Sequence, residues 1–599
     1  MALHARYLIA ALALTACGKD EVEDTAGSPE DDLPAQYFDS DRDGWLENED
    51  CDDENDRVFP GAREGCDDID NDCDGIIDED PDDADLWYAD MDGDGYGDLG
   101  ETQEACDQPE DFAARAGDCD DSEATTNPDA PEICGDGVDN NCGGGDRPCG
   151  WGGDIGLPDA DVVLGGQVTQ GRAGCAVSAP GDFDGDGEVD VLVGACLADE
   201  AGMAYLLRGP FDASRELADA DARLEGGLKG AEMGAAVAGS DLDSDGRFEW
   251  LVSAPSADTS APDAGEVYLL SAASGVLEVA DDGIDHLYGS ALGDNAGRVL
   301  ATAADVLLVG VPLYEPLGGE DTGTETGADT GMIAENMGAV WVLQGPYSGR
   351  GGIEEVAIGR LDGESDADNA GRAVAAGDLN GDGIVDAVVG AWRSDITGED
   401  AGATYVVLGP LDGVRSLADA DVRLLGESER NGSGFAVTVL SDMDGDGLDD
   451  VAIGAPQAAA VYLVNGLGSG LLSGDVGLAD ADAKLEGTAA SEEVGYALAG
   501  GGDVDGDGVP DLLVGAPGAG ISGADSGAVF VVPGPLTGTS SLGATGARLV
   551  GQASSDRAGE ALSSADVNGD GLLDILVGAP GVDEGAADLG AVYLLFGGE

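Results

Sequence analysis

Histidine is almost absent from this chain of 599 residues, which has two, and the other basic residues are scarce, with 24 Lys and Arg against 124 Asp and Glu for a formal charge of -100. A polyanion of this size repels DNA, RNA and anionic lipid headgroups, which excludes nucleic-acid partners. His4 lies in an N-terminal leader, so His286 alone remains in the body of the protein. A Ser/His/Asp triad needs an oriented His and zinc hydrolases usually need two, so neither chemistry is expected and no catalytic residue is assigned. His286 precedes Leu287-Tyr-Gly289 at a repeat position that Arg or Lys occupies elsewhere, and reads as a surface residue of its repeat. Paired carboxylates could serve a glycosidase, but nearly every clustered acid here belongs to a repeated loop, and catalytic residues should break a repeat. Long apolar runs are missing too: beyond the leader no segment has the ~20 apolar residues of a membrane span.

The leader itself is informative. His4 and Arg6 form a basic start, Tyr7 to Leu14 is a short apolar run, and Leu14-Thr-Ala-Cys17 resembles a lipobox. The resemblance implies a bacterial lipoprotein, with residues 1–17 as signal peptide and Cys17 lipidated; an ordinary cleaved signal with an incidental Cys is the alternative. The membrane is then met through the lipid anchor only. Gly18 stands where enteric inner-membrane retention would want Asp, favouring the outer membrane and cell surface. Acidic residues 18–36, with Pro29 and Pro34, read as a disordered tether. Ten cysteines remain beyond Cys17, eight of them between Cys51 and Cys149, as suits an exported, disulfide-bonded chain. Cys175 and Cys196 flank one Asp-rich loop on what should be adjacent strands, and are expected to pair; the connectivity of the other eight cannot be read from sequence.

What the chain has in quantity is a loop of the form Asp-x-[Asp/Asn]-x-Asp-Gly-x-x-[Asp/Glu] that runs into a branched apolar strand such as Val-Gly-Ala-Pro. Carboxylates at positions 1, 3, 5 and 9 with a backbone carbonyl at 7 supply the converging oxygens a hard divalent cation requires, and Gly at 6 permits the sharp turn. The loops assign Asp182, Asp184, Asp186 and Asp190 with the Glu188 carbonyl; Asp241, Asp243, Asp245 and Glu249 with Arg247; and Asp378, Asn380, Asp382 and Asp386 with Ile384. They continue with Asp442, Asp444, Asp446 and Asp450 with Leu448; Asp503, Asp505, Asp507 and Asp511 with Val509; and Asp566, Asn568, Asp570 and Asp574 with Leu572. All-oxygen ligation in a flexible loop favours Ca2+ over zinc, copper or magnesium. A single such turn is ordinary Asx-turn chemistry; six in register point to ion sites. No Glu stands at position 12 and strands flank each loop, which argues against an EF-hand. A seventh unit passes from Ala304-Asp305 straight into its strand without a loop, and carries a low-complexity insertion around Gly318 to Met332.

From about residue 155 to 599 the unit recurs every 63 residues or so, with four strand-like pieces: Gly-x-Ala-Val/Leu, the strand after the loop, Gly-Ala-Val-Tyr-Leu-Leu as at Gly590, and Arg-Leu-x-Gly at Arg223, Arg360, Arg423 and Arg548 with Lys484 substituting. Alternating apolar residues read as half-buried antiparallel strands, and seven such units can close a ring without exposed edges. The region resembles the FG-GAP repeats of integrin alpha chains, which implies an all-β, seven-bladed β-propeller with calcium in hairpin loops between the first two strands of a blade. The Phe of Phe-Gly is replaced by Ala, Met, Ser or Val, as at Met233, Ser433 and Val494, so packing between blades must be filled differently.

Residues 37–149 form a duplicated Cys/Asp-rich module. Cys51 to Cys66 and Cys119 to Cys134 keep one spacing, and Asp-Cys-Asp-Asp recurs at Asp50 and Asp118. These units resemble the metal-binding repeat named after the MopE copper-binding surface protein. The calcium-type spacing recurs at Asp39, Asp41, Asp43 and Glu47; at Asp70, Asp72, Asp74 and Asp78; and at Asp90, Asp92, Asp94 and Asp98. Copper is the alternative that the resemblance brings, against which stand the absence of His and the expected disulfides. The reading that results is a surface-anchored calcium-binding protein that recognises an extracellular protein or glycan; a structural envelope protein without a dedicated ligand is the alternative, and a carboxylate-dependent enzyme the least favoured.

Overall fold

The computed structural model describes residues 40–127, 138, 142 and 152–598, except 47–48, 53, 68, 79–83, 212, 243–245, 272–273, 280–283, 290, 315–335, 347–348, 467–472, 545 and 584–586. The leader with Cys17, the tether, Asp39, Glu47, Asp243, Asp245 and the Gly318–Met332 insertion therefore lie outside the described residues. The chain divides into two units between Ala124 and Thr125. The sequence placed the module's end at 149; of 128–151, only Val138 and Cys142 are described.

The first unit has little apolar interior. Val58, Ala89, Tyr96 and Ala113 are its buried apolar residues among those described. One four-stranded sheet, in the order Phe112–Ala113, Asp85–Ala89, Tyr96–Ala105, Arg115–Ala116, carries the Asp90 loop as the turn of its central hairpin. So small a core needs covalent help. Cys51 is bonded to Cys73 and Cys66 to Cys106, and Cys119 and Cys142 are each in a disulfide.

In the second unit seven five-stranded sheets form the blades. Their innermost strands touch in cyclic order, Ala173–Gly181, Val237–Ser240, Val299–Ala303, Ala373–Gly377, Ala436–Leu440, Leu498–Gly502 and Ala561–Ala565, with the last against the first. Four strands of each blade run antiparallel outward from there, as the repeat implies. The fifth was not anticipated. After the third strand the chain crosses to the neighbouring blade, adds a short parallel strand to its outer edge, and returns, at six crossings among the described residues through a one-turn helix; Gly413–Ser416, for example, pairs with Gly359–Asp362 of the preceding blade before Val422–Leu425 completes its own. A buried apolar residue pins the crossing each time, among them Leu217, Ile353, Leu417 and Leu478. The start of the unit closes the ring by the same device: Gly153–Gly156 pairs with Ala547–Val550, and Val162–Gly165 supplies the fourth strand of the last blade beside Ala591–Leu595.

Seven apolar clusters lie one at each interface between adjacent blades, including the one that joins Leu576 and Leu594 of the last blade to Val191 and Val193 of the first. The expectation of half-buried strands is corrected here. Second strands such as Asp386–Ala391 and third strands such as Ala403–Val407 are buried along their whole length, because a neighbouring blade covers each face.

Backbone contact replaces the missing aromatic ring. The glycine of Val-Gly-Ala in one blade lies against the carbonyl of the Gly-x-Ala glycine of the next: a Cβ would come within 2.0 Å of Gly234 O at Gly194, 2.1 Å of Gly434 O at Gly390, and 2.1 Å of Gly174 O at Gly578. The residue before that second glycine is buried and bonded through its own backbone, as where Ser433 N–H donates to Ala401 O and Met233 N–H to Ala201 O. Gly454→Ala would put a methyl 2.0 Å from Gly495 O, backbone against backbone. It should destabilise the protein by about 3 kcal/mol or more. Gly477→Ala, at an ordinary negative φ with nothing within 4 Å, should stay within about 0.5 kcal/mol in the same denaturant titration.

Candidate metal-binding loops

Each propeller loop is the hairpin between the first two strands of its blade, and it is built by its own carboxylates. Position 1 accepts from the amides at positions 4 and 6: Asp182 takes Gly185 N–H at 2.6 Å and Gly187 N–H at 2.8 Å, and Asp442, Asp503 and Asp566 repeat the pattern. Position 3 accepts from the amide of position 5, and position 5 from that of position 7, as in Asp186 N–H to Asp184 and Leu448 N–H to Asp446. In the five loops with glycine at both positions 4 and 6, both take left-handed φ: Gly445 stands at 84° and Gly447 at 92°; the second loop has Ser244 at position 4. In the second loop Asp241 accepts from Gly246 N–H at 3.0 Å. The third blade turns at Ala304-Asp305 between Val299–Ala303 and Val306–Val311.

Position 9 differs from the rest. Asp190, Asp386, Asp450, Asp511 and Asp574 are 0% exposed, each under its loop at the start of the second strand. One oxygen accepts the position-2 amide, as from Leu379 to Asp386 at 3.0 Å, and the other accepts a glycine amide just past the third strand, as from Gly409 at 2.7 Å. In Asp574 the first of these oxygens accepts a second amide, from Asn568 at 3.1 Å. Glu249 holds the same place by accepting Leu242 N–H at 2.7 Å. Burial pushes all five aspartates up to about 6, against the lowering effect of those amides. For Asp182, burial also opposes ionisation, but four backbone amides outweigh it and hold the carboxyl below its usual range.

In the first unit the structure gathers carboxylates that are distant in sequence. Asp90, Asp92 and Asp94 converge within 4.8 Å; Asp41 and Asp43 meet Asp50; Asp70 and Asp72 meet Glu64; and Asp92 meets Asp118 and Asp121. Asp74 N–H donates to Asp70 and Asp72, and Asp78 N–H to Glu64; of Asp98 only the backbone is described. Asp50, Glu64, Asp118 and Asp121 were not assigned from sequence, although the recurrence of Asp-Cys-Asp-Asp in both copies was a signal. Burial first, then neighbouring acids, raise the Asp92 and Asp118 carboxyls above the usual range.

Cys175 and Cys196 form a disulfide across the first two strands of their blade, with Cα atoms 6.3 Å apart. His286 is not the surface residue the sequence suggested: it is 8% exposed, with its ring 5.4 Å from that of Tyr268 and 6.2 Å from that of Tyr288, and burial lowers its basicity. It fills the Arg/Lys position of the repeat as a packing residue. The channel through the ring has a volume of about 880 Å³ and is walled by small and aliphatic side chains, among them Val177, Val374, Thr438 and Ser563, with Asp241 and Asp305 its acidic members.

Comparison with known proteins agrees with this architecture. Residues 370–407, 433–470, 494–532 and 558–595 match the FG-GAP repeat, and residues 50–79 and 118–146 match the MopE-type metal-binding motif. The chain is 36% identical to integrin alpha-PS5 of Drosophila melanogaster over 161 residues, 26% of this chain and 16% of that protein. It is 34% identical to integrin alpha-IIb of Homo sapiens over 193 residues, 31% of this chain and 17% of the other, and 35% identical to integrin alpha-7 of Rattus norvegicus over 187 residues, 31% and 15%. The matched region thus spans less than a fifth of each relative. The four matched FG-GAP repeats are the last four blades; the structure extends the same blade through residues 173–362.

The position-9 carboxyls give a test with two signs. Their folded pKa of about 6 lies above the unfolded value, so without metal the folded state holds the proton more tightly and its stability should rise as pH falls from 7.5 towards 5. With a cation bound, protons compete with it over the same window and stability should fall. Thermal melts with chelator and with added divalent cation should therefore move in opposite directions with pH; parallel curves would count against the loops as ion sites.

Proposed function

We propose that this protein is a lipid-anchored, calcium-binding recognition protein of the bacterial cell surface, whose propeller contacts an extracellular protein or glycan. The observation that carries the reading is the combination of an FG-GAP propeller, similar to those of integrin alpha subunits, with an Asp-rich hairpin loop on six of its seven blades. The loops repeat and so serve the fold; recognition belongs to surfaces where the blades differ.

One such surface lies at the opposite ends of the inner strands. The residue after the Gly-x-Ala glycine is Cys175, Ala235, Arg298, Arg372, Phe435, Tyr496 and Glu560 in successive blades. Here Phe435 packs edge-on against Trp392, with ring centroids 5.7 Å apart, and at a tilt against Tyr496, at 5.0 Å, while Arg372 lies 4.5 Å over the Phe435 ring and Arg557 5.8 Å over Tyr496. All five side chains are half-buried. Aromatic residues and arginine packed together in a half-buried cluster have the composition of binding hot spots. The leader with Cys17 supports delivery to the envelope, and among the described residues no helix is long and apolar enough to cross a membrane.

Calcium is the ion because every side-chain donor assigned in the loops is oxygen. Extracellular sites bind it with dissociation constants of ~10⁻⁴ to 10⁻³ M, so a tenfold excess stabilises each by about 1.4 kcal/mol. Removing calcium with EGTA should lower the melting temperature by many degrees, and an unchanged melt would falsify the calcium reading. The calcium-loaded protein should bind intact cells or a subset of a glycan array, and Trp392→Ala with Phe435→Ala should weaken that binding at least tenfold without shifting the melt. Absence of binding on every surface tried would favour the structural envelope role.

A further inference from the structure

We propose that each copy of the cysteine-rich module holds a cation between two chain segments, the Asp-rich loop and the Asp-Cys-Asp-Asp element downstream, with Asp118 a ligand in the second copy and Asp50 in the first. This rests on the reading of the loops as ion sites, and adds a second ligand-bearing segment to them.

The second copy shows the arrangement most fully. Carboxylate oxygens of Asp92, Asp118 and Asp121 lie within 4.8 Å of one another, as do those of Asp90, Asp92 and Asp94, so Asp92 belongs to both groups. Asp118 is 8% exposed. Its Oδ1 accepts Asp120 N–H at 2.8 Å, while its Oδ2 is buried and accepts nothing; Asp92 Oδ2 is buried and unmet as well. Two ionised oxygens without donors, on acids whose neighbours are acids, make an arrangement that costs free energy unless a cation joins them. The backbone holds Asp118 in place without that ion. Gly117 and Asp118 N–H both donate to Gly97 O, and Met91 N–H in the loop donates to Asp121 at 2.8 Å.

The first copy repeats the geometry. Asp41, Asp43 and Asp50 converge within 4.8 Å, Asp50 Oδ1 accepts Asp52 N–H at 3.0 Å as Asp118 does from Asp120, and Oδ2 of Asp50 and of Asp43 is buried without a donor. The same orphaned oxygen before the same cysteine, in two copies whose intervening sequences differ, is what a ligand position predicts. Cys51 and Cys119 are in disulfides, so neither offers a thiolate and the donor set stays all oxygen. Such a set takes a hard divalent cation such as calcium. The ion would tie the Asp85–Ala105 hairpin to residues 115–121 and take over part of the work of the missing core.

Hydrogen exchange read by mass spectrometry on the full, oxidised chain tests this, in calcium and in EGTA. In the unaltered protein calcium should slow exchange over residues 90–98 and 115–121 together. Asp118→Asn should raise the calcium concentration needed for that protection at least tenfold in both segments and leave the propeller loops unchanged, while Asp120→Asn, one residue from the cysteine on its other side, should behave as the unaltered protein. Unchanged calcium dependence in Asp118→Asn overturns the inference and leaves the loop reading intact. Failure of calcium to protect residues 90–98 in the unaltered protein overturns both. If Asp118→Asn does not fold, Asp50→Asn decides the same question from protection over residues 40–52.

Discussion

The propeller depends on one close contact, glycine against glycine where neighbouring blades meet. A Cβ at Gly194, Gly310, Gly390, Gly454, Gly515 or Gly578 would lie 2.0 to 2.3 Å from a glycine carbonyl of the next blade. The one departure is Ser253 in the second blade, whose Cβ lies near Gly297 of the third and whose hydroxyl accepts Ala236 N–H. With the backbones this close, the second and third strands of every blade have a neighbour on both faces, which explains why they are buried and, past the position-9 acid, largely apolar, and why no bulky residue is needed at the Phe position of the repeat. Close packing of this kind tolerates little change in volume.

The same contact positions the loops. Bringing the inner strands together leaves each first hairpin projecting from one end of the ring, and the buried position-9 acid joins that hairpin to the third strand through two backbone amides. The acid therefore does work in the fold whether or not an ion is present. Burial makes its ionised form costly, and a divalent ion above it is the natural compensation. An ion bound there, as proposed, would couple folding to binding at a residue that a ligand list alone would treat as one donor among several.

Much of this was legible in the sequence, because the repeat encodes it in residue types with few alternatives: the two left-handed glycines of five of the six propeller loops, the glycines at the blade interfaces, and the largely apolar second strand. What was hidden depends on the partner blade. The fifth strand, such as Gly413–Ser416, has no apolar alternation of its own, since it lies on an outer edge and is pinned only by the leucine that follows. His286 looked exposed because its repeat position carries Arg or Lys elsewhere, and those residues extend a stem along Tyr405 or Tyr462 before pairing with Glu364 or Glu427. Nothing in the local pattern says that a ring placed there is covered. Asp118 was hidden for the same reason, being brought to the Asp90 loop by a sheet that the sequence signals weakly.

The charge of the chain follows from this division of labour. Of its 24 basic residues, Arg223, Arg360, Arg423, Lys484 and Arg548 form a belt on the outer strands, each paired with an acid on its own or an adjoining strand, and Arg548 holds the closing strand through Asp154 at 2.7 Å. Such half-exposed pairs contribute little stability each, so their value lies in fixing which edge meets which. Another group, Arg172, Arg372 and Arg557, sits at the loop-free end of the inner strands, where Arg172 and Arg557 share Glu560. No cationic side chain in either group lies within the Asp-rich loops, although Arg247 stands in the second propeller loop and Arg208 pairs with Asp184 of the first at 3.4 Å. The self-repulsion that remains must be relieved by solvent, by protons or by bound cations, and only bound cations relieve it at neutral pH while leaving the carboxylates ionised. With cations in the loops as proposed, the stability of the protein would follow the ionic composition around it, while its arginines serve closure of the ring and the loop-free end.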